Sequence, residues 1–256
     1  MRRVSAVSRA AAILDLVGRA PQPPSIASIG AMLGIPRNTT YQLVYTLADA
    51  QLLRVVDGRL HLGVRTFELG SRYAMNLDLV TEAREVAGPL RDVSGETVHV
   101  AVLDGRDAVY LVKEESRQAV RMSSRIGLRL PAHVSAVGKA MLAALPATEL
   151  DALLDGVVLE RMTSHSITDL DALRKDLHAT RERGYAIDNQ ESSPDVACVA
   201  AAVRDGSGSV VAGVSISMPL SRMPTERREE FASMAIQAAN AFSTRLGFVP
   251  YAEAVR

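Results

Sequence analysis

Between Ser25 and Gly70 the chain reads SIASIGAMLGIPRNTTYQLVYTLADAQLLRVVDGRLHLGVRTFELG. Ser25 and Ser28 suit the cap of a short helix that carries Ile26, Ile29 and Leu33 along one side. Gly34 stops that helix, because glycine enters the left-handed conformation of a tight turn without strain. Ile35 is the apolar plug of the turn, and Pro36 suits the first turn of a second helix, where a missing N–H costs little. The second helix turns Leu43, Val44, Leu47 and Ala48 inward at helical spacing. Its N-terminal outer face offers Arg37, Asn38, Thr39, Thr40 and Gln42, residue types that hydrogen-bond base edges and phosphates. After Leu53 the period falls to two, and Asp57-Gly58 between alternating runs signals a hairpin, with Arg59 expected at its tip. Helix, turn, helix and hairpin in this order predict a winged helix-turn-helix, whose second helix fits the major groove of DNA. The plainer alternative is a small helical domain with a polar surface. Gly30, inside the first helix, is expected to weaken it by about 0.5–1 kcal/mol.

Charge divides along the chain. Residues 1–77 carry nine arginines, no lysine and four acidic residues; because the whole chain is formally neutral, the remainder is acidic by the same margin. A basic first part joined to an acidic second part points to nucleic-acid contact by the first. The surplus is modest, so tight binding calls for a dimer that doubles the phosphate contacts.

The 256 residues suit two compact domains, and 48% apolar residues supply a sizeable core. Trp is absent and aromatics make up 4%, which disfavours single-strand readers built on stacked rings. A single cysteine excludes an internal disulfide and a cysteine-based zinc site, and no cofactor is expected. No apolar run reaches spanning length. The N-terminal stretch places Val4, Val7, Ala11, Ile13, Leu14 and Val17 at helical spacing, so it reads as the first helix of the DNA-binding domain rather than a signal peptide. A cytoplasmic protein is expected.

Beyond the hairpin, residues 66–87 have a helical pattern, interrupted by Gly88-Pro89 unless Pro89 opens a new helix. Hairpins are predicted at 97–112 and 196–218, a strand at 119–123 and a short strand at 185–188. Helices are predicted at 136–145, 169–183 and 225–246, with 125–133 as a loop. Antiparallel pairs with helices between them indicate an α+β domain whose sheet has one face free to form a pocket. By analogy of fold alone, this is the design of GAF- and PAS-type sensors.

From about Ser5 to Gly247 the chain resembles the IclR family of bacterial transcriptional regulators. The resemblance is carried by the Gly-Ile-Pro turn, the wing running into LGVRTFELG, and GETVHVAVLDG. Two further stretches, RIGLRLPAHVSAVGKAMLA and RERGYAIDNQESSPDVACVAAAVRDGSG, extend it. It implies a winged helix-turn-helix over 1–65, a linker helix over 66–79 and a GAF-like antiparallel effector domain over 80–256. It also implies dimers, which in the family often pair into tetramers, and either repression or activation. Gln42 departs from the basic residue that many members carry on the recognition helix, so the operator does not transfer from relatives.

The helix beginning near Ser135 presents free N–H groups at its positive end, where a ligand carboxylate is a natural guest. By resemblance, the amides of Ala136 and Val137 hold it, and Asp188, Cys198, Ser215 and Ser217 line the same pocket with Met122 as an apolar wall. Each has a plainer reading. Cys198 is a small core residue, Ser215 and Ser217 face solvent, and Asp188 caps a turn. Arg125 and Arg129 either pair with an anion or solvate a loop, and His99 and His133 read as structural. The expected function is a DNA-binding regulator controlled by a small organic acid. The alternatives are a GAF-like enzyme fused to a helix-turn-helix, or a protein-interaction module. An enzyme is disfavoured because the chain has no G-x-S-x-G elbow, P-loop, dinucleotide fingerprint or metal motif.

Overall fold

The computed structural model describes residues 4–75, 78–119 and 122–248. The chain divides into two compact units, Met1–Leu77 and Asp78–Arg256.

In the first unit, α1 (Ser5–Arg19), α2 (Ile26–Leu33) and α3 (Arg37–Asp49) precede the hairpin β1 (Leu53–Val56) and β2 (Arg59–Leu62), and α4 (Val64–Met75) follows. Ser25 caps α2 by accepting from Ser28 N at 3.1 Å. Ile13, Val17, Ile26, Ile29, Ile35, Val44, Leu47, Leu53 and Leu60 form the core. Only the C-terminal half of the apolar stripe of α1 joins it; Val4, Val7 and Ala11 are exposed. Asp57 and Gly58 both have positive φ, 49° and 70°, as the type I′ hairpin turn requires.

Gly30 has a packing role that outweighs its propensity cost. A Cβ there would lie 2.8 Å from Thr40 Oγ1 and 3.3 Å from the Ile35 carbonyl oxygen. Thr40 is β-branched and its hydroxyl donates to Ile35 O (3.2 Å) and Pro36 O (3.1 Å), so it cannot yield cheaply. Gly30→Ala is therefore expected to destabilise the unit. Overpacking costs about 1–3 kcal/mol against a propensity gain of about 1 kcal/mol. A thermal melt checks this: the midpoint falls, whereas a rise would mean that α2 and α3 separate without penalty.

The second unit runs α5 (Asp78–Ser94), β3 (Thr97–Asp104), β4 (Asp107–Glu114), β5 (Arg129–Pro131), a 3₁₀ turn (Ala132–Val134), α6 (Ala136–Ala144) and α7 (Ala147–Leu154). It continues with α8 (Leu170–Arg183), β6 (Ala186–Asn189), β7 (Val196–Arg204), β8 (Val210–Pro219) and α9 (Thr225–Arg245). The strands form one antiparallel sheet in the order β5-β4-β3-β8-β7-β6. Period-two alternation divides its side chains. Val98, Val100, Val112, Val199, Val214 and Ile216 pack against Ala83, Val86 and Leu90 of α5 and Phe231, Ala235 and Phe242 of α9. Ala101, Ala108, Tyr110, Cys198 and Ala200 meet Ala136, Val137, Ala140 and Met141 of α6 on the other face. The approach is close at Gly213, where a Cβ would sit 2.6 Å from Val137 Cγ2. Leu142 and Ala143 of α6 pack in turn against Leu150 and Leu154 of α7 and Leu173 and Leu177 of α8.

Three expectations change. Gly88-Pro89 neither breaks a helix nor opens one: α5 runs through Pro89, held by the burial of Ala83, Val86, Ala87 and Leu90. The segment expected as a loop at 125–133 contains β5, and α7 lies where no element was expected. Of the strand expected over 119–123, Val120 and Arg121 lie outside the described residues, and the described residues beside them are irregular.

Candidate functional sites

On α3 the outer face presents Arg37, Asn38 and Gln42 exposed and Thr39 half-buried. Arg37 lies over the Tyr41 ring at 5.8 Å. Tyr45, 59% exposed, extends the same face one turn beyond Gln42 and Asn38 and is absent from the residues expected from the sequence. Thr40 leaves the set. It is 1% exposed and its hydroxyl is spent on the turn carbonyls, because positions 40, 44 and 47 share the inward stripe. Arg59 is not at the wing tip, which is Asp57-Gly58. It opens β2, pairs with Val56, and its guanidinium bends back to the Pro23 carbonyl at 3.4 Å. Arg54 is the exposed cation on β1.

In the second unit a cavity of about 200 Å³ lies at the sheet beside α6. His99 of β3, Tyr110 of β4, Cys198 of β7 and Ser217 of β8 form its floor. Met122, Ser123, Ser124 and Leu128 of the β4–β5 connection cover it, and Ser192 and Ser193 close the β6–β7 end. Of the predicted pocket residues, Met122, Cys198 and Ser217 meet here. Ser215 shares the Ser217 face of β8, is 2% exposed and does not face solvent. Ala136 and Val137 sit at the start of α6, packed in one apolar cluster with Tyr110 and Cys198, and are not among the lining residues described. Ser135 caps that helix by accepting from Gly138 N at 3.1 Å.

Asp188 departs from its predicted place. It is fully buried, and its carboxylate accepts from Glu191 N (2.7 Å), Ser192 N (3.3 Å) and the Ser192 hydroxyl. It holds the turn that carries Ser192 and Ser193 and is not among the lining residues described. Burial raises its pKa above the ordinary carboxylate range, against the hydrogen bonds that lower it. The same turn is anchored to α6. Lys139, 1% exposed, bonds both Glu191 carboxylate oxygens at 2.6 and 2.8 Å and lies 3.0 Å from Asp176 Oδ2, an ion pair without hydrogen-bond alignment. Burial outweighs the Lys139 attraction and lifts Glu191 to about 7. Burial also raises the Cys198 thiol, which stays protonated and unreactive. Arg129 is paired to Asp104 (2.7 Å) and Asp107 (3.1 Å), and His133 Nε2 bonds the Glu160 carbonyl at 2.9 Å.

An exposed recognition helix with a wing, in one chain with a separate antiparallel-sheet domain, defines a DNA-binding transcriptional regulator. Residues 71–244 match the bacterial transcriptional regulator IclR C-terminal family, and residues 6–57 match the IclR helix-turn-helix domain. The chain belongs to the IclR family, and it is a transcriptional regulator rather than an enzyme. It is 37% identical to the HTH-type transcriptional repressor AllR of Klebsiella pneumoniae over 251 residues, covering 97% of this chain and 92% of that one. The IclR of Thermotoga maritima superposes with a TM-score of 0.76 at 30% identity, over 94% of this chain and 98% of that one. An IclR homologue from Microbacterium hydrocarbonoxydans, solved in complex with 4-hydroxybenzoate, superposes with a TM-score of 0.81 at 26% identity, over 94% and 99%. No described helix is long and apolar enough to cross a membrane.

Proposed function

We propose that this chain is a repressor whose operator affinity is set by a small organic acid held in the second unit. One observation carries the reading: a sheet cavity lined by five serines, in the same chain as an outward recognition helix. The repressor name of the Klebsiella relative and the hydroxybenzoate in the Microbacterium homologue support it. The size of the cavity restricts the occupant to something well below a drug-sized molecule. Ser217, Cys198 and Met122 contact the occupant, with its carboxylate end at the Ser217 hydroxyl. Arg37, Asn38, Thr39 and Gln42 read the operator, with Tyr45 beside them. Two copies are needed, since one basic unit supplies few phosphate contacts. The effector acts by population shift: it stabilises one of two DNA-binding states by its difference in affinity for them.

Ser217→Ala tests the cavity. The concentration of acid that releases DNA is expected to rise about tenfold, the worth of one good buried hydrogen bond, while affinity for DNA without acid stays near wild type. An unchanged response, measured by fluorescence anisotropy, would remove Ser217 from the site.

A further inference from the structure

His99 was read from the sequence as structural, and its surroundings assign it more. It is 1% exposed near the start of β3, with its ring stacked on Tyr110 at 4.6 Å and 18°. Its Nδ1 lies 3.2 Å from Ser217 Oγ and its Nε2 2.6 Å from Ser124 Oγ. Both serines line the cavity. Ser217 belongs to the sheet, whereas Ser124 belongs to the covering segment, whose carbonyls at Met122 and Ser124 accept from Lys113 Nζ at 2.9 and 2.7 Å. Burial and then the Lys113 charge push His99 down to about 3, so the ring is neutral and offers one donor and one acceptor.

Resting on the reading of this cavity as the effector site, we infer that His99 is its positioning residue, orienting the Ser217 hydroxyl toward the occupant and tying it to Ser124. The chain Ser217–His99–Ser124 answers an accepting or a donating group at Ser217 by the direction of its bonds, and it carries that direction to the covering segment. With an accepting group such as a carboxylate oxygen at Ser217, the Ser217 hydroxyl donates to the occupant. Nδ1–H then donates to Ser217 Oγ, and Ser124 donates to Nε2. With a donating occupant every bond reverses: Ser217 donates to Nδ1, and Nε2–H donates to Ser124. Charged groups do not set the direction of these bonds: Lys113 is engaged by the two carbonyls and Glu115, and Asp188 by its own turn. An acid therefore selects the Nδ1–H tautomer, and its uncharged donor analogue selects the other.

The test uses the full chain and monocarboxylates from acetate to 4-hydroxybenzoate, each at up to about 10 mM, screened by thermal shift. The acid that most stabilises the wild type is then titrated by calorimetry. His99→Leu is expected to weaken it about tenfold or more, whereas His99→Gln, which keeps one donor and one acceptor, stays within about threefold. In ¹⁵N spectra, with His99 assigned by its loss in His99→Gln, the acid moves the ring to the Nδ1–H form. Equal affinity in wild type and His99→Leu, equal loss in both variants, or a ring spectrum unmoved by the acid overturns the inference and leaves the cavity reading standing. Should His99→Leu fail to fold, Ser124→Ala replaces it, with a loss of about threefold or more expected and unchanged affinity refuting the chain of bonds. No stabilisation of the wild type by any acid overturns the cavity reading, and this inference with it.

Discussion

Lys139→Met is expected to remove about 3–5 kcal/mol from the second unit, the cost of leaving buried charge without its partner. Lys139 is 1% exposed and pairs with two carboxylates, Glu191 and Asp176, whose side chains are 10% and 25% exposed. Met fills the volume of the lysine stem, so the loss arises from electrostatics rather than from a cavity. Adding Glu191→Gln should recover part of it, since the charge most in need of Lys139 is then gone. Asp176 keeps Arg183 at 3.6 Å and more water. Denaturant unfolding of both variants separates the accounts: a double variant no better than the single one would mean that Lys139 acts by packing alone. The effect should reach the cavity as well, because Glu191 immediately precedes Ser192 and Ser193. Glu191 is held by Lys139 at its carboxylate, by Asp188 at its N–H and by Ser166 at its carbonyl (2.8 Å).

The second large effect is on DNA. Asn38→Ala and Gln42→Ala are each expected to cost about 1–3 kcal/mol of operator binding, while binding to unrelated duplex and its salt slope stay unchanged. Both side chains are exposed on the turn of α3 that leads into the groove in a winged helix-turn-helix. Thr40→Ala is the contrasting variant. It should lower the unfolding midpoint, through loss of the bonds to Ile35 and Pro36, without changing which sequence is preferred. Anisotropy titrations on specific and unrelated duplexes distinguish the two classes. Equal losses on both duplexes would take Asn38 and Gln42 out of base readout.

The elements of the first unit were legible because their determinants are local. The Ser25 cap, the Asp57-Gly58 turn and the 44/47 stripe each act within a few residues. Thr40 was misplaced by residue type: threonine suits DNA, but four residues before Val44 it falls on the buried face. Pro89 was misread for the opposite reason, since the packing of α5 against the sheet and α9 overrides a local break. The cavity was only partly legible. Met122, Cys198 and Ser217 were named from resemblance, yet His99, Tyr110, Ser124, Ser192 and Ser193 come together through a strand order that joins β3 to β8 across more than a hundred residues. Alternation along β3 does put His99 on the face opposite Val98 and Val100, which was the available signal. Asp188 carried two readings, and its hydrogen bonds favour the turn.

The central claim is that a cavity ligand controls DNA binding, and one titration tests it most directly. The full chain is bound to a labelled duplex from its own upstream region, with and without the acid that most raises its melting temperature. Salt-sensitive, sequence-specific binding is expected, with the Kd for DNA shifted about 5–150-fold when the cavity is saturated. No preference for that duplex at low salt, or one Kd with the cavity empty and full, would contradict it.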